Sequence, residues 1–351
     1  MRDFWSLTLL LLFLTISRCV TDNGETISQT SCSIEPECES APWCQVYFTY
    51  KDDVEGCTVD FIDSAQDSIY MAVYDLDLES VADALARASD RGVKITMIMD
   101  DTQAKREASM CNCLQEKGIP LTLDRSKSDF MHNKVIVVDG KKVWTGSTNP
   151  TQNGVNKNNN NVLVMRSEEL AENYIAEIEE MWCQYELGER KVTPTPHPDF
   201  EIEGVRVENY FAPEDDVEEE ILSELDSAES SIQFMTFTFT SDPIEEKLIE
   251  RSEDGVDVKG IFEARQTSQY AAYGPLFDSG IPVIKDKNGY TMHHKVFIID
   301  NITTITGSFN PTKHANEDND ENILGLTQLT GIFLCHLMHS NLDMYGGAVL
   351  N

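Results

Sequence analysis

Apolar residues in this chain come in short runs and spaced stripes, taken in turn. The run at 68–74 is brief and rich in β-forming side chains, which predicts a strand. Across 78–88, Leu78, Val81, Ala82 and Leu85 recur at helical spacing, which predicts an amphipathic helix. The same reading gives a strand at 93–99, a helix at 103–117, a strand at 120–123, a hairpin, a strand around 162–165 and a helix at 168–185. Strands separated by helices predict an α/β sheet covered on both faces.

The pattern then repeats. Tyr47-Phe48 and Asp52-Asp53-Val54 return as Tyr210-Phe211 and Asp215-Asp216-Val217, an offset of 163. Ser68-Ile69 and Gly92-Val93 return at the same offset as Ser231-Ile232 and Gly255-Val256. Gly118-Ile119-Pro120 matches Gly280-Ile281-Pro282 at 162, and His132 matches His293 at 161. The expected organisation is therefore two homologous α/β repeats, 46–190 and 200–327, joined at 191–199 by a Pro-rich linker stiffened by Pro194, Pro196 and Pro198. Residues 328–351 depart from the repeat, with Gly331-Ile332-Phe333 where the first copy has Met181-Trp182. The charge run 214–220 carries Val217 and Ile221 at helical spacing and reads as a solvated helix start, whereas 156–161 reads as a polar loop.

The amino terminus adds a compartment. An apolar stretch at 4–14, then Thr15, Ser17 and Cys19, predicts a signal peptide over 1–19, too short to span a bilayer. A lipid anchor on Cys19 fits less well, because Arg18 precedes it. Of nine cysteines eight would remain, and Cys32, Cys38, Cys44 and Cys57 crowd the polar segment 20–45 and its flank. Disulfides are the expectation for a secreted chain, since these intervals contain no Cys-x-x-Cys and no nearby histidine for zinc. The 27 Lys+Arg against 61 Asp+Glu give a net charge of −34, which disfavours polyanion binding and anionic bilayers alike.

The hairpin carries the chemistry. One copy reads His132-Asn133-Lys134, then Asp139, then Gly146-Ser147-Thr148-Asn149; the other reads His293-His294-Lys295, then Asp300, then Gly307-Ser308-Phe309-Asn310. Alternation along a strand puts His132 with Lys134, and Ser147 with Asn149, on one face, while His294 falls on the far face in a structural place. A two-residue turn at Asp139-Gly140 would set His132 directly opposite Ser147, and one at Asp300-Asn301 would set His293 opposite Ser308. Imidazole can attack phosphorus or protonate a leaving oxygen, and Lys, Ser and Asn can hold anionic oxygens. One repeat supplies one imidazole, so two repeats facing each other supply both. Such a site calls for no metal and no cofactor.

Two HxK(x)4D motifs, each followed by GSxN, resemble the phospholipase D superfamily over roughly 46–326. The resemblance implies a pseudo-twofold fold with the site between the repeats, a covalent phospho-histidine and metal independence. It implies catalytic roles for His132, Lys134, Asp139, His293, Lys295 and Asp300, supported by Ser147, Asn149, Ser308, Asn310 and Glu321. Asp139 and Asp300 also fit a structural role at their turns. In the family a carboxylate beyond GSxN commonly orients a histidine; Glu321 takes that place after His293, but Asn160 takes it after His132. A carboxylate beside His293 would favour its protonated form, making it the acid/base and His132 the nucleophile.

The expected function is an exported phosphodiesterase of phospholipase D type, acting on phospholipid head groups at a membrane surface. The alternatives are a metal-independent nuclease, with nucleic acid as substrate, and an inactive binding protein. Both motifs lie in one chain, so a monomer would be complete and no protein partner is implied.

Overall fold

A computed structural model describes residues 42–124, 128–187 and 194–328. The expected signal peptide, Cys32, Cys38 and the divergent tail after 328 lie outside the described residues. The first half builds β1 (Cys44–Phe48), β2 (Ser68–Val73), β3 (Lys94–Met99), β4 (Leu121–Leu123), β5 (Lys134–Val138), β6 (Lys142–Gly146) and β7 (Asn161–Arg166) into a sheet of order β1-β7-β6-β5-β2-β3-β4. The second builds β8 (Asp199–Ile202), β9 (Val205–Ala212), β10 (Ser231–Thr236), β11 (Asp257–Phe262), β12 (Val283–Lys285), β13 (Lys295–Ile299), β14 (Thr303–Gly307) and β15 (Glu321–Thr327). Its order, β8-β9-β15-β14-β13-β10-β11-β12, repeats the first with β8 added at one edge. In both, the strands next to a helical crossover pair in parallel and the hairpin strands pair antiparallel.

Helices α1 (Val54–Asp63), α2 (Glu79–Asp90), α3 (Asp101–Ala104), α4 (Cys111–Glu116), α5 (Gln152–Asn156) and α6 (Glu168–Trp182) belong to the first half. The second has α7 (Val217–Asp226), α8 (Asp242–Glu253), α9 (Tyr273–Asp278) and α10 (Lys313–Glu317). The single helix expected at 103–117 is broken into α3 and α4, because Met110 N–H donates to Leu76 O at 3.0 Å and holds the intervening chain against the end of β2. The helix expected to reach 185 stops at Trp182 and continues as one π turn, Cys183–Leu187.

Period-two burial on the central strands shows how the halves join. On β5, Ile136 and Val138 enter the core shared with Val54, Leu85 and Met97, while Val135 and Val137 turn to the opposite face. On β13, Phe297 and Ile299 meet Leu248 and Leu276, while Val296 and Ile298 turn away from them. Those inward rows form one core with Tyr174 and Ile178 of α6, so the two sheets and α6 pack together.

Both hairpins make the expected turn but miss the expected register. Asp139 and Gly140 have positive φ, as do Asp300 and Asn301, and Lys141 N–H and Ile302 N–H close the turns onto Val138 O and Ile299 O. One further residue is then left over, because Val138 pairs with Lys142 and Ile299 with Thr303. The register slips by one, and His132 no longer stands opposite Ser147. At the ends of β6 and β14, Gly146 and Gly307 hold the chain so close that a Cβ would lie 2.4 Å from Asn161 O and 2.2 Å from Asn322 O. That approach accounts for the glycine of each Gly-Ser pair. Thr151 and Thr312 then cap α5 and α10.

The disulfide expectation is corrected at two of its four cysteines. Cys44 has a free thiol sealed in the core, where burial pushes its pKa up to about 12. Cys57, on α1, is also free and hydrogen-bonds the Tyr47 side chain. The polar loop expected at 156–161 is corrected too: α5 occupies its start, and Asn159, Asn160 and Asn161 are buried.

Candidate active site

The two halves exchange backbone bonds beside the histidines. His132 N–H donates to Asp320 O and His293 N–H to Asn159 O, each at 2.9 Å. Parallel bridges join Met131 to Asp320 and Met292 to Asn159. Each histidine thus sits at the start of its own hairpin but is fixed by the strand entry of the other half.

The side chains are exchanged as well. His132 Nδ1 lies 2.8 Å from Glu321 Oε2, and His293 Nδ1 lies 2.9 Å from Asn160 Oδ1 and 3.1 Å from Ser147 O. The expected pairing of Glu321 with His293 is therefore wrong: the carboxylate 28 positions after one histidine reaches the histidine of the other half. Ser308 Oγ donates to the same Glu321 oxygen at 2.6 Å, and Ser147 Oγ donates to Asn160 Oδ1 at 2.9 Å. The two serines stand behind these partners, in a supporting place. Asn160 Nδ2 donates to Gly154 O at 2.9 Å, so its oxygen is the atom turned to His293, whose Nδ1 then carries a proton.

Burial dominates the electrostatics. It pulls the His132 pKa down to about 4, opposed by Glu321 and aided by Lys134. It pulls His293 well below the ordinary range, with Lys295, Lys134 and His132 adding to the effect. Burial opposes ionisation of Glu321, but His132, Lys134 and Ser308 outweigh it and hold the carboxyl below its usual value. The resting pair is thus neutral imidazole and carboxylate, with Nε2 of each histidine free for chemistry.

Lys134 Nζ donates to His132 O, and Lys295 Nζ to His293 O at 2.8 Å. Each ammonium lies over an aromatic face, Tyr74 at 5.1 Å and Phe237 at 5.0 Å, and the same rings back the histidines at 4.8 Å. Burial lowers Lys134 to about 7, against the pull of Glu321, Asp100 and Asp75, and lowers Lys295 well below its usual value. The role of Tyr74 and Phe237 was missed from sequence, although the 163-residue offset pairs them at the ends of matching apolar runs.

Asp139 and Asp300 are elsewhere. Asp139 accepts from the backbone N–H groups of Gln66, Asp67 and Ser68, and Asp300 from those of Glu229, Ser230 and Ser231. Five strand residues at ~3.3 Å each put Asp139 about 16 Å along the chain from Lys134. The catalytic reading of these two is therefore corrected to a structural one, tying each turn to the entry of β2 or β10. Asn149 and Asn310 are half-buried after the strands, and Asn310 Oδ1 accepts from Thr238 N–H at 3.4 Å. His294 is buried between the halves, with Nδ1 3.1 Å from Asn161 Oδ1.

Among the described residues one trio could hold a metal ion. Ligand atoms of Asp129, His314 and Asp318 lie within 4.8 Å of one another on the surface. His314 already has Asp318 Oδ2 at 2.8 Å from Nδ1 and Ser128 O at 3.2 Å from Nε2. The trio does not include the histidines above.

Residues 58–182 and 221–330 match the family described as cardiolipin synthase, PLD-like domain. The chain belongs to the phospholipase D superfamily. It is similar to a phospholipase D of Rickettsia conorii, 38% identical over 123 residues, which covers 34% of this chain and 61% of that protein. It is also similar to a mitochondrial cardiolipin hydrolase of Xenopus tropicalis, 29% identical over 153 residues, covering 44% and 72% of the two chains. The phosphatidylserine synthase structure of Haemophilus influenzae Rd KW20 shares the fold, with a TM-score of 0.67, 15% identity and 86% of each chain covered. The match to the Rickettsia relatives thus spans about three fifths of their length.

Proposed function

We propose that the protein is an exported phosphodiesterase of phospholipase D type, which hydrolyses the head-group bond of phospholipids through a covalent phospho-histidine. The observation that carries this reading is the meeting of two His–Lys sets, one from each half, with each histidine braced at Nδ1 by the other half. A neutral imidazole suits attack on phosphorus, and a second imidazole, once the bound phosphodiester anion has favoured its protonation at Nε2, suits protonation of the departing alcohol and, neutral again, activation of water. Lys134 and Lys295 supply positive charge where phosphoryl oxygens would gather negative charge. The names of the relatives, phospholipase D and cardiolipin hydrolase, favour lipid as substrate. Export rests on the apolar stretch at 4–14.

The test is a parallel assay on vesicles of zwitterionic phospholipid, on cardiolipin and on single-stranded DNA, each with and without a chelator. Release of head group from lipid, unchanged by chelation, is expected. Cleavage of DNA alone would make the protein a nuclease, and loss of all activity restored by a divalent ion would overturn the mechanism.

A pH profile tests the lysine role. Lys134 must be charged to receive the phosphodiester, and in the free protein its pKa lies at about 7, so kcat/KM is expected to fall as pH rises through that value. A bound phosphodiester anion raises the lysine pKa, so kcat should hold to higher pH than kcat/KM. An alkaline limb near 10 in both would show that Lys134 does not limit binding.

A further inference from the structure

We propose that one face of the second half, built from Tyr270, Tyr273, Phe277, Lys285, Lys287 and Tyr290, docks the protein on a phospholipid surface beside its active site. The proposal rests on the lipid reading above and adds where the membrane is met.

Among the described residues the three most exposed large apolar side chains are Tyr270, Phe277 and Tyr290, at 76%, 59% and 53%, and all three lie between β11 and His293. Phe277 stacks on the half-buried Tyr273 at 6.1 Å, and Ala272 N–H, tied to Phe239 O at 3.0 Å, fixes the chain that presents them. Exposed apolar side chains gathered in this way mark a contact surface. At the 161- and 162-residue offsets the first half has Ala108, Cys111, Gln115 and Asp129 in place of the four rings, so the shared fold does not require them.

The charge of the same stretch is inverted. The whole chain has 27 Lys+Arg against 61 Asp+Glu, yet residues 264–291 hold Arg265, Lys285 and Lys287 against Asp278 and Asp286. Asp286 is buried, accepting from the N–H groups of Ala264 and Asn288, which leaves the exposed charge of the stretch positive. Lys285 lies over Tyr273 at 4.5 Å, and Lys157 of the first half lies over Tyr290 at 5.6 Å, so ammonium groups and rings share one surface. Rings that settle among head groups and lysines that meet phosphate oxygens suit a bilayer interface. A long polyanion would meet the −34 charge of the chain, whereas zwitterionic lipid carries no net charge to be repelled, which favours lipid over nucleic acid as the occupant.

The face lies on the side of the catalytic centre. β10, β11 and β12 run parallel, so the end of β10, where Phe237 backs His293 at 4.8 Å, the start of the stretch after β11, and Lys285 at the end of β12 share one side of the sheet. Tyr290 precedes His293 by three residues.

Tyr270→Ser with Phe277→Ser removes the two most exposed rings and leaves Tyr290 in place. Flotation with phosphatidylcholine vesicles is expected to show binding at least about tenfold weaker than that of the unaltered protein, since burial of one such ring is worth about that factor. Lys285→Gln with Lys287→Gln is expected to weaken binding chiefly to vesicles that also contain phosphatidylglycerol, and to reduce its dependence on salt. Melting temperature and turnover of a soluble nitrophenyl phosphodiester should be unchanged in both, and Ile302→Ser, which removes an exposed apolar side chain from the β13–β14 turn, should bind vesicles normally. Should the aromatic variant not fold, the lysine variant carries the test. Equal flotation of the variants and the unaltered protein would overturn the proposal, as would losses confined to single-stranded DNA binding or to self-association. Vesicles bound but never hydrolysed would instead refute the lipid-hydrolase reading while the docking face stands.

Discussion

His132→Ala is expected to lower turnover roughly 10⁴-fold or more and to abolish the covalent adduct for every substrate. The loss is large if, as proposed, the ring is the acceptor of the phosphoryl group, because water at that position would have neither its nucleophilicity nor its placement by Asp320 O and Glu321. His293→Ala is expected to look different. With a poor leaving group it should be nearly as damaging, since no acid remains to protonate the departing alkoxide. With a good leaving group little protonation is needed, so the adduct should form in a burst and then persist, because the base that activates water is missing as well. Rapid-quench kinetics with an alkyl and a nitrophenyl phosphodiester separate these cases. Equal adduct formation by both variants would show that neither ring is the obligatory nucleophile.

What could be read without coordinates was whatever repeats locally. Alternating runs, the 163-residue offset and the His-x-Lys spacing depend on side-chain order within one half, and the two sheets carry them in matching strand order. Three features escaped, each for a physical reason. The left-over residue after each turn is a backbone choice that Lys141 and Ile302 do not announce, yet it changes which side chains face one another. The partners of His132 and His293 come from the other half, where spacing along the chain carries no information. Burial of Asn159, Asn160 and Asn161 was masked by their polarity: they read as loop because their hydrogen-bond partners, among them His293, Ser147 and Thr306, are remote in sequence or unremarkable. The resemblance of the doubled motif bridged part of this gap, bringing the two histidines to one site before any contact between halves was visible.

The motif also misled, because its two aspartates travel with the catalytic residues without sharing their place. Removing both carboxylates, as Asp139→Asn with Asp300→Asn, is expected to lower the melting temperature while leaving kcat per folded molecule within about threefold. Each carboxylate gathers three backbone N–H groups at the entry of its neighbouring strand, and charge-assisted bonds of this kind contribute about 1–2 kcal/mol each after allowance for solvent. Asparagine keeps the left-handed backbone that both positions adopt, φ 55° and 53°, so the loss is that of the charge and not of the turn. Acid supplies the second reading. Burial opposes ionisation of Asp300, but the N–H groups of Glu229, Ser230 and Ser231 and the Ser230 hydroxyl outweigh it and bring its pKa to about 2. An unfolded aspartate titrates near 4, so the contribution of Asp300 is fully present above about pH 4 and is lost as pH falls through about 2. The melting gap between the unaltered protein and the double variant should therefore be constant at neutral pH and close in strong acid. A hundredfold fall in kcat with an unchanged melting temperature would return these carboxylates to the chemistry.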